Sequence, residues 1–362
     1  MKRILLWASG VVALLLFGLS LTAYLTTYHP NDRDPEPVTC TGDAPLLRPG
    51  QKLKVLNWNV QYMAGKNYVF FYDVMGGEGP DDRPTHEDIE TTLEGVARVI
   101  RDENPDIILL QEIEQGARRT DYEDQIARLL EKIGPDYRCQ ASTFYWKASY
   151  VPHPRIMGAV GMKLATLSRY RLDSALRHQL PEMPSDFVSR LFYFKRAVLE
   201  VRLPIEGTDR ELAVLNTHLD AFAQGSDTMQ QQVALVADLL DELSKAGKSW
   251  LIGGDFNLLP PNALAFERLK EHERAAYLAE TELRALFERY PVVPGKVETE
   301  GPDAAAWFTH FPNDPRVGEP DRTIDYIFFS PDITLGARHV RQHDTRTLSD
   351  HFPIVAELEL GE

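Results

Sequence analysis

Two cysteines in 362 residues, Cys40 and Cys139, are too few for a disulfide scaffold, and they lack the paired spacing of a zinc ligand set. In an oxidising compartment the two are expected to pair with each other. Basic residues are scarce as well: 39 Lys and Arg stand against 54 Asp and Glu, a formal charge of −15. That balance argues against a protein that holds nucleic acid by a broad phosphate-neutralising surface, although a nuclease with a small local site is compatible with it. Low-complexity sequence is absent beyond residue 51. What is present, a 43% hydrophobic composition, suffices for a large core in one or two domains.

The first residues are of another kind. Lys2 and Arg3 precede an uncharged, mostly apolar run from Ile4 to about Leu25, long enough to cross a bilayer and longer than the usual apolar core of a cleaved signal. Leu21-Thr22-Ala23-Tyr24 is a poor cleavage site, so residues 1–25 read as an uncleaved signal-anchor helix, with cleavage the lesser alternative. Because the basic residues lie before the span, the rest of the chain is expected on the far, extracytoplasmic (in a bacterium, periplasmic) side. Residues 26–51, with five prolines, three Asp and no periodicity, read as a flexible tether.

Beyond the tether, strands and helices alternate. Lys52 to Val60 reads as a strand, and a long aromatic- and glycine-rich loop runs from Gln61 to Pro84. Thr85 caps a helix carrying Ile89, Leu93, Val96, Ala97 and Ile100 at helical spacing, and a strand follows at 106–112. A capping-box pattern at Thr120–Glu123 opens a second helix to about Ile133. Strands are expected around 137–142, 158–168, 196–203 and 211–219. A helix from Ser226 to near Gly247 and a helical region at 263–289 follow. Strands return at 323–330, 335–342 and 353–360.

The stretch Trp250-Leu251-Ile252-Gly253-Gly254-Asp255-Phe256-Asn257 joins a buried strand to a carboxylate and a carboxamide that share one side of an extended chain. Buried and unpaired they would cost on the order of several kcal/mol, so they are expected to line an open site. A faint echo supports this. Val55–Asn59, a helix and Ile107–Glu112 are matched by Val214–His218, a helix and Trp250–Asp255. Two such units laid sheet against sheet would bring Asn59, Glu112, His218 and Asp255 to one edge, beyond the carboxyl ends of strands, where ligands bind.

Useful polar side chains thus stand at Asn59, Glu112, Asn216, His218, Asp255, Asn257, Asp325, Asp350 and His351. Glu112 and Asp350 are hard oxygen donors, suited to magnesium, manganese or calcium rather than zinc. Ser349 cannot form a triad with the two residues that follow it. Tyr145, Trp146, Tyr150, His153 and Arg155 make an aromatic-basic loop that either flanks the site or packs. His310 and His343 carry no motif and read as ordinary residues.

Taken together, Asn59 in LNWNVQ, Glu112 in LLQE, NTHLD at 216–220, GGDFN at 253–257, TIDYIF at 323–328 and LSDHFP at 348–353 resemble the endonuclease/exonuclease/phosphatase superfamily, in its order and across about residues 52–360. The resemblance implies an α/β fold, a four-layer sandwich of two mixed β-sheets packed face to face with helices outside, so that 52–362 form the catalytic domain. It implies Mg2+ (or Mn2+ or Ca2+) held by Glu112, Asn59 and Asp350. It gives Asp255 the attacking water, Asn257 the phosphoryl group, Asp325 the orientation of His351, and His218 a phosphate contact. Asn216 and, more weakly, Arg196 are expected to meet substrate, Arg196 being more readily a surface or ion-pair residue than a ligand. Whether Asp255 or His351 activates the water is left open.

The resemblance names no substrate. The anchor, the acidic charge and the aromatic loops favour a membrane-tethered phosphodiesterase or phosphatase acting on lipid head groups or small phosphate esters. An extracytoplasmic nuclease on DNA or RNA is the alternative, and a non-catalytic binding protein on the same fold a second. No protein partner is implied.

Overall fold

The computed structural model describes residues 2–66, 68, 83–221, 223 and 225–362. Phe70, Phe71 and Tyr72, among the aromatics of the long loop, and its glycines at 76–79 lie outside the described residues. Helix α1 (Lys2–Thr26) leads the chain, and its window Ser9–Thr26 is long and apolar enough to cross a membrane, a test that a signal sequence also passes.

Strands β1 (Arg33–Glu36), β2 (Val38–Cys40) and β3 (Lys52–Asn59) come next, then α2 (His86–Glu103), β4 (Ile107–Glu114), α3 (Gln125–Ile133), β5 (Cys139–Val151), β6 (Gly158–Ser168) and β7 (Ser174–Gln179). After α4 (Phe187–Phe192) come β8 (Ala197–Pro204), β9 (Glu211–His218), α5 (Thr228–Lys245), β10 (Ser249–Asp255), β11 (Val292–Val293), β12 (Asp325–Phe329), β13 (Thr334–Val340) and β14 (Ile354–Glu359). The strands form two seven-stranded sheets, ordered β13-β14-β3-β4-β6-β5-β2 and β1-β7-β8-β9-β10-β12-β11. Each sheet has one parallel pair, β3 with β4 and β9 with β10. Parallel neighbours need a crossover, and α2 and α5 supply it. These are the two strand–helix–strand units whose echo the sequence carries.

Period-2 alternation sends successive side chains of a strand to opposite faces. On β3, Val55 therefore joins Leu109, Leu164, Leu199, Val214, Leu251 and Ile327 between the sheets, while Leu56 joins Ile89, Leu93 and Val96 of α2. On the other side Val233, Val236 and Leu240 of α5 cover Leu215, Trp250 and Ile252. The result is a four-layer sandwich of two mixed sheets with helices outside. Its helix ends follow local chemistry: the Thr85 hydroxyl accepts from Asp88 N to open α2, and Asn104 closes it in the left-handed region at φ 51.

Several expectations are corrected. The segment 26–51 is no free tether. β1 pairs with β7 and β2 with β5, so the segment adds an edge strand to each sheet; Cys40 and Cys139 form a disulfide between β2 and β5, and Leu47 is fully buried. Proline is tolerated in edge strands because its missing N–H faces outward, and this is why a proline-rich stretch reads falsely as linker. Helix α3 begins at Gln125 with Asp124 as its cap, because the Thr120 hydroxyl is drawn instead to Glu114 Oε2 at 2.8 Å. The region 263–289 breaks into helical turns at Ala263–Arg268, Glu271–Arg274 and Arg284–Phe287; at the first break Arg274 Nε, not an amide, meets the Leu269 carbonyl at 3.1 Å. Residues 144–151 are strand rather than loop, with Tyr145 and Trp146 buried.

Candidate active site

The two parallel units bring their strand ends to one mouth. Asp255 is in register with His218 on one side and with Asp325 on the other. The two glycines before it allow a close approach: a Cβ at Gly253 would lie 2.6 Å from Leu109 Cδ1, and one at Gly254 2.2 Å from the Thr217 carbonyl.

Asp255 is the hub. Its Oδ2 accepts from Asn59 Nδ2 at 3.0 Å and lies 3.3 Å from His218 Nε2 and 3.5 Å from His351 Nε2. Its Oδ1 accepts from Asn257 N at 2.9 Å. Asn257 sits in the left-handed region at φ 52 and donates its amide to Leu219 O at 3.2 Å. His351 Nδ1 is 2.9 Å from Asp325 Oδ2, a contact that fixes the ring's orientation and tautomer. Ser349 is engaged in structure: its hydroxyl donates to Asn59 O at 2.8 Å and accepts from His351 N at 3.1 Å.

Glu112 reaches the mouth through a β-bulge. The pairing of β4 with β6 shifts between Leu110 and Ile113, and Glu112 takes φ 58. Bulges of this kind re-aim a side chain, and left-handed backbone at a non-glycine residue is strain of the sort held at functional sites. Glu112 Oε1 accepts from Asn59 Nδ2 at 3.1 Å and lies 3.8 Å from His218 Nδ1. Asp350 is held by Asn313 Nδ2, 3.2 Å from its Oδ2, and by its own N–H on Gln61 Oε1 at 3.1 Å.

The charges in this mouth are unevenly settled. Burial, opposed by the His351 cation, raises the Asp255 carboxyl to about 7. Burial alone would discharge His351, yet Asp325 and Asp255 outweigh it and hold the imidazole well above its ordinary range. His218 goes the other way: burial, Arg196 and His351 push it far down, so it is the neutral imidazole of the pair despite its contact with Asp255. Burial, and next the like charge of Asp350, raise Glu112; burial also raises Asp350. Asp350 is buried and Glu112 half-buried, and two hard oxygen donors of like charge suit a hard divalent cation. In the mouth the donor sets that lie within 4.8 Å are Asp255–Asp325–His351 and His310–Asp350–His351; a third among the described residues, His272–Glu273–Asp314, uses none of these side chains. Glu112 belongs to neither and is tied to the mouth through Asn59.

Two expected substrate contacts are engaged in structure instead. Asn216 is fully buried between the sheets, its amide donating to Leu110 O at 3.0 Å and Ala165 O at 2.9 Å and accepting from Gln111 Nε2 at 2.7 Å; a saturated amide has nothing left for substrate. Arg196 is buried rather than at the surface, 3.4 Å from Asp220 Oδ1 and 4.4 Å from the Phe194 ring centre. His310, read as an ordinary residue, and Tyr145, read as either flanking the site or packing, both reach the mouth. His310, brought beside His351 by an antiparallel bridge, has its ring centre 4.5 Å from that of His351 and its Nε2 3.9 Å from Asp350 Oδ2. The Tyr145 hydroxyl lies 3.3 Å from His218 Nδ1. No spacing announces either residue; only the bridge and the bulged β5 place them.

Fold and mouth together define the class of two-sheet phosphoesterase sandwiches. More particularly, the chain belongs to the endonuclease/exonuclease/phosphatase family, whose sequence model matches residues 56–351. A structure of an endonuclease/exonuclease/phosphatase from Beutenbergia cavernae DSM 12333 is similar at TM-score 0.57 and 23% identity, covering 86% of this chain and 72% of that one. The human Nocturnin catalytic domain with bound sulfate follows at TM-score 0.53 and 18% identity, covering 89% of this chain and 96% of that one. A family protein from Leptotrichia buccalis C-1013-b superposes at TM-score 0.52 and 14% identity, covering 85% of this chain and all of that one (100%). At these identities the likeness is one of fold. A search among curated proteins finds no match.

Proposed function

We propose that the chain is a divalent-metal-dependent phosphoesterase, tethered to a membrane by α1 and acting on lipid head groups or small phosphate esters. The observation that carries the reading is Asp255, one carboxylate touching the Asn59 amide and both the His218 and His351 imidazoles. With its carboxyl raised to about 7, Asp255 is the base that takes the proton of the attacking water, since a base works best near ambient pH. His351, kept cationic by Asp325, stabilises the charge that builds on the phosphoryl oxygens. Neutral His218 and the Asn257 amide position the phosphoryl group. Glu112, Asn59 and Asp350 would hold Mg2+ (or Mn2+ or Ca2+), and the bound ion supplies Lewis acidity toward a phosphoryl oxygen.

Two features support the membrane side of the reading. The disulfide fits an extracytoplasmic compartment, as expected if Lys2 and Arg3 stay behind and α1 is an uncleaved signal-anchor. A cavity of about 510 Å3 is bounded by Tyr24 of α1 and by Phe187 and Leu191 of α4, and Phe187 and Val188 of α4 are exposed, as suits an element resting on lipid.

The test is a substrate panel with each metal: bis(p-nitrophenyl) phosphate, sphingomyelin and phosphoinositide vesicles, and plasmid DNA. Turnover of the small ester and of a lipid is expected. Strong plasmid nicking with no lipid turnover would replace this reading by the nuclease one.

A further inference from the structure

Beside the mouth lies a cavity of about 140 Å3 lined by four arginines, Arg83, Arg118, Arg119 and Arg155, over an apolar floor that includes Trp146 and Ile156. In a chain of formal charge −15, four guanidinium groups around one small space run against the general balance. Asp121 pairs with Arg83 at 3.0 Å, and Glu114 with Arg119 at 2.9 Å. Arg118 is different. It donates to the Ile156 and Met157 carbonyls at 2.7 and 3.2 Å, and among the described residues no carboxylate pairs with it. Its stem is seated on Gly158, where a Cβ would lie 2.2 Å from Arg118 Cδ. A cation seated this tightly on neutral acceptors is aimed, not merely solvated.

The cavity is linked to the mouth through neighbouring residues. Arg119 lies over the Tyr62 ring, 3.4 Å from its centre, and the neighbouring Gln61 holds the Asp350 N–H. Trp146 adjoins Tyr145, whose hydroxyl meets His218, and the register of β5 slips between Phe144 and Trp146, so that consecutive residues serve the two spaces. Guanidinium forks bind phosphate in two-point fashion, and the volume suits a phosphate group rather than a length of nucleic acid.

We propose that this cavity is a second anion subsite, which takes a phosphate of the substrate other than the one hydrolysed. The preferred substrate is then a phosphate ester that carries a second phosphate. This inference rests on the phosphoesterase reading above.

The experiment titrates inorganic pyrophosphate calorimetrically into the full chain in detergent and EDTA, so that no metal at the mouth recruits it. Wild type is expected to bind, the Arg118→Ala/Arg155→Ala double variant to lose at least tenfold in affinity, and Glu112→Gln to keep its affinity. Exposed Arg155→Glu, which leaves the fold unchallenged, is expected to weaken binding as well. No binding by wild type, or equal binding by the arginine variants, overturns the subsite. Adenosine 3′,5′-bisphosphate in solution and phosphatidylinositol 4-phosphate in phosphatidylcholine vesicles, run in parallel, tell a soluble carrier from a lipid one by which loses affinity in the double variant; loss with neither overturns the subsite. Hydrolysis of bis(p-nitrophenyl) phosphate separates the two failures. Turnover without pyrophosphate binding removes the subsite alone. Pyrophosphate binding that the arginine variants lose, without turnover, removes the phosphoesterase reading and leaves an anion site.

Discussion

Asn57, Gln111 and Asn216 lie one or two residues behind Asn59, Glu112 and His218 on the same three strands, β3, β4 and β9, yet the two sets do opposite things. The deeper set is neutral, fully buried and linked across the seam: Gln111 Nε2 donates to Asn57 Oδ1 at 2.9 Å and to Asn216 Oδ1 at 2.7 Å, stitching one sheet to the other. The outer set faces the mouth with Asp255 and His351, where charge is left unsettled: Glu112 and Asp255 are pushed up and His351 is held protonated. A neutral amide that donates across the seam is a device for fixing how two sheets meet, whereas a carboxylate whose ionisation the surroundings oppose is available for chemistry. One turn of the period-2 repeat separates the seam from the mouth.

The contrast breaks most visibly by substitution at the mouth. Asp255→Ala and His351→Ala are each expected to lose at least about a hundredfold in turnover while the fold survives, measured on bis(p-nitrophenyl) phosphate beside a thermal melt. Near-normal activity in either would remove that residue from the mechanism. In the deeper set the signs exchange. Asn216→Leu strands the Gln111 amide and two carbonyls and is expected to cost about 2–3 kcal/mol in urea unfolding, with the specific activity of the folded protein within a few-fold of wild type. Collapse of activity at unchanged stability would return Asn216 to the substrate.

Acidity sharpens the comparison further. Asp255 acts as a base only when ionised, so kcat/KM is expected to fall as pH drops through about 7, with the profile flattened in the residual activity of Asp255→Asn. The smallest effect concerns stability. A carboxyl raised above its unfolded value favours the folded state while protonated, and that advantage disappears as pH climbs from the unfolded pKa to about 7. Metal-free Asp255→Asn, which never ionises, is therefore expected to be more stable than wild type at pH 8, by about 1–2 kcal/mol. A variant less stable than wild type there would mean that the ionised carboxylate is well accommodated.

Much of the mouth was legible because its residues stand where strands stop: Asn59, His218 and Asp255 each close a strand that the hydrophobic pattern marks, and β3–α2–β4 repeats as β9–α5–β10. What was not legible is what depends on departures from regular pairing. The bulge that turns Glu112 inward leaves no trace in composition, and neither does the one that aims Tyr145. Asn216 and His218 share a face of one strand and differ only in depth, a quantity set by the opposite sheet. His310 is placed by a bridge to His351, a contact 41 positions away along the chain. Residues 26–51 misled because edge strands tolerate the prolines that also make linkers.

Glu112 and Asp350, both raised by burial and Glu112 also by the charge of Asp350, are the proposed cation ligands. Calorimetric titration of Mg2+ and Mn2+ into the full chain tests this assignment directly. A saturable site in wild type that Glu112→Gln and Asp350→Asn each weaken at least about tenfold is the predicted result. Metal affinity that neither substitution alters would contradict it.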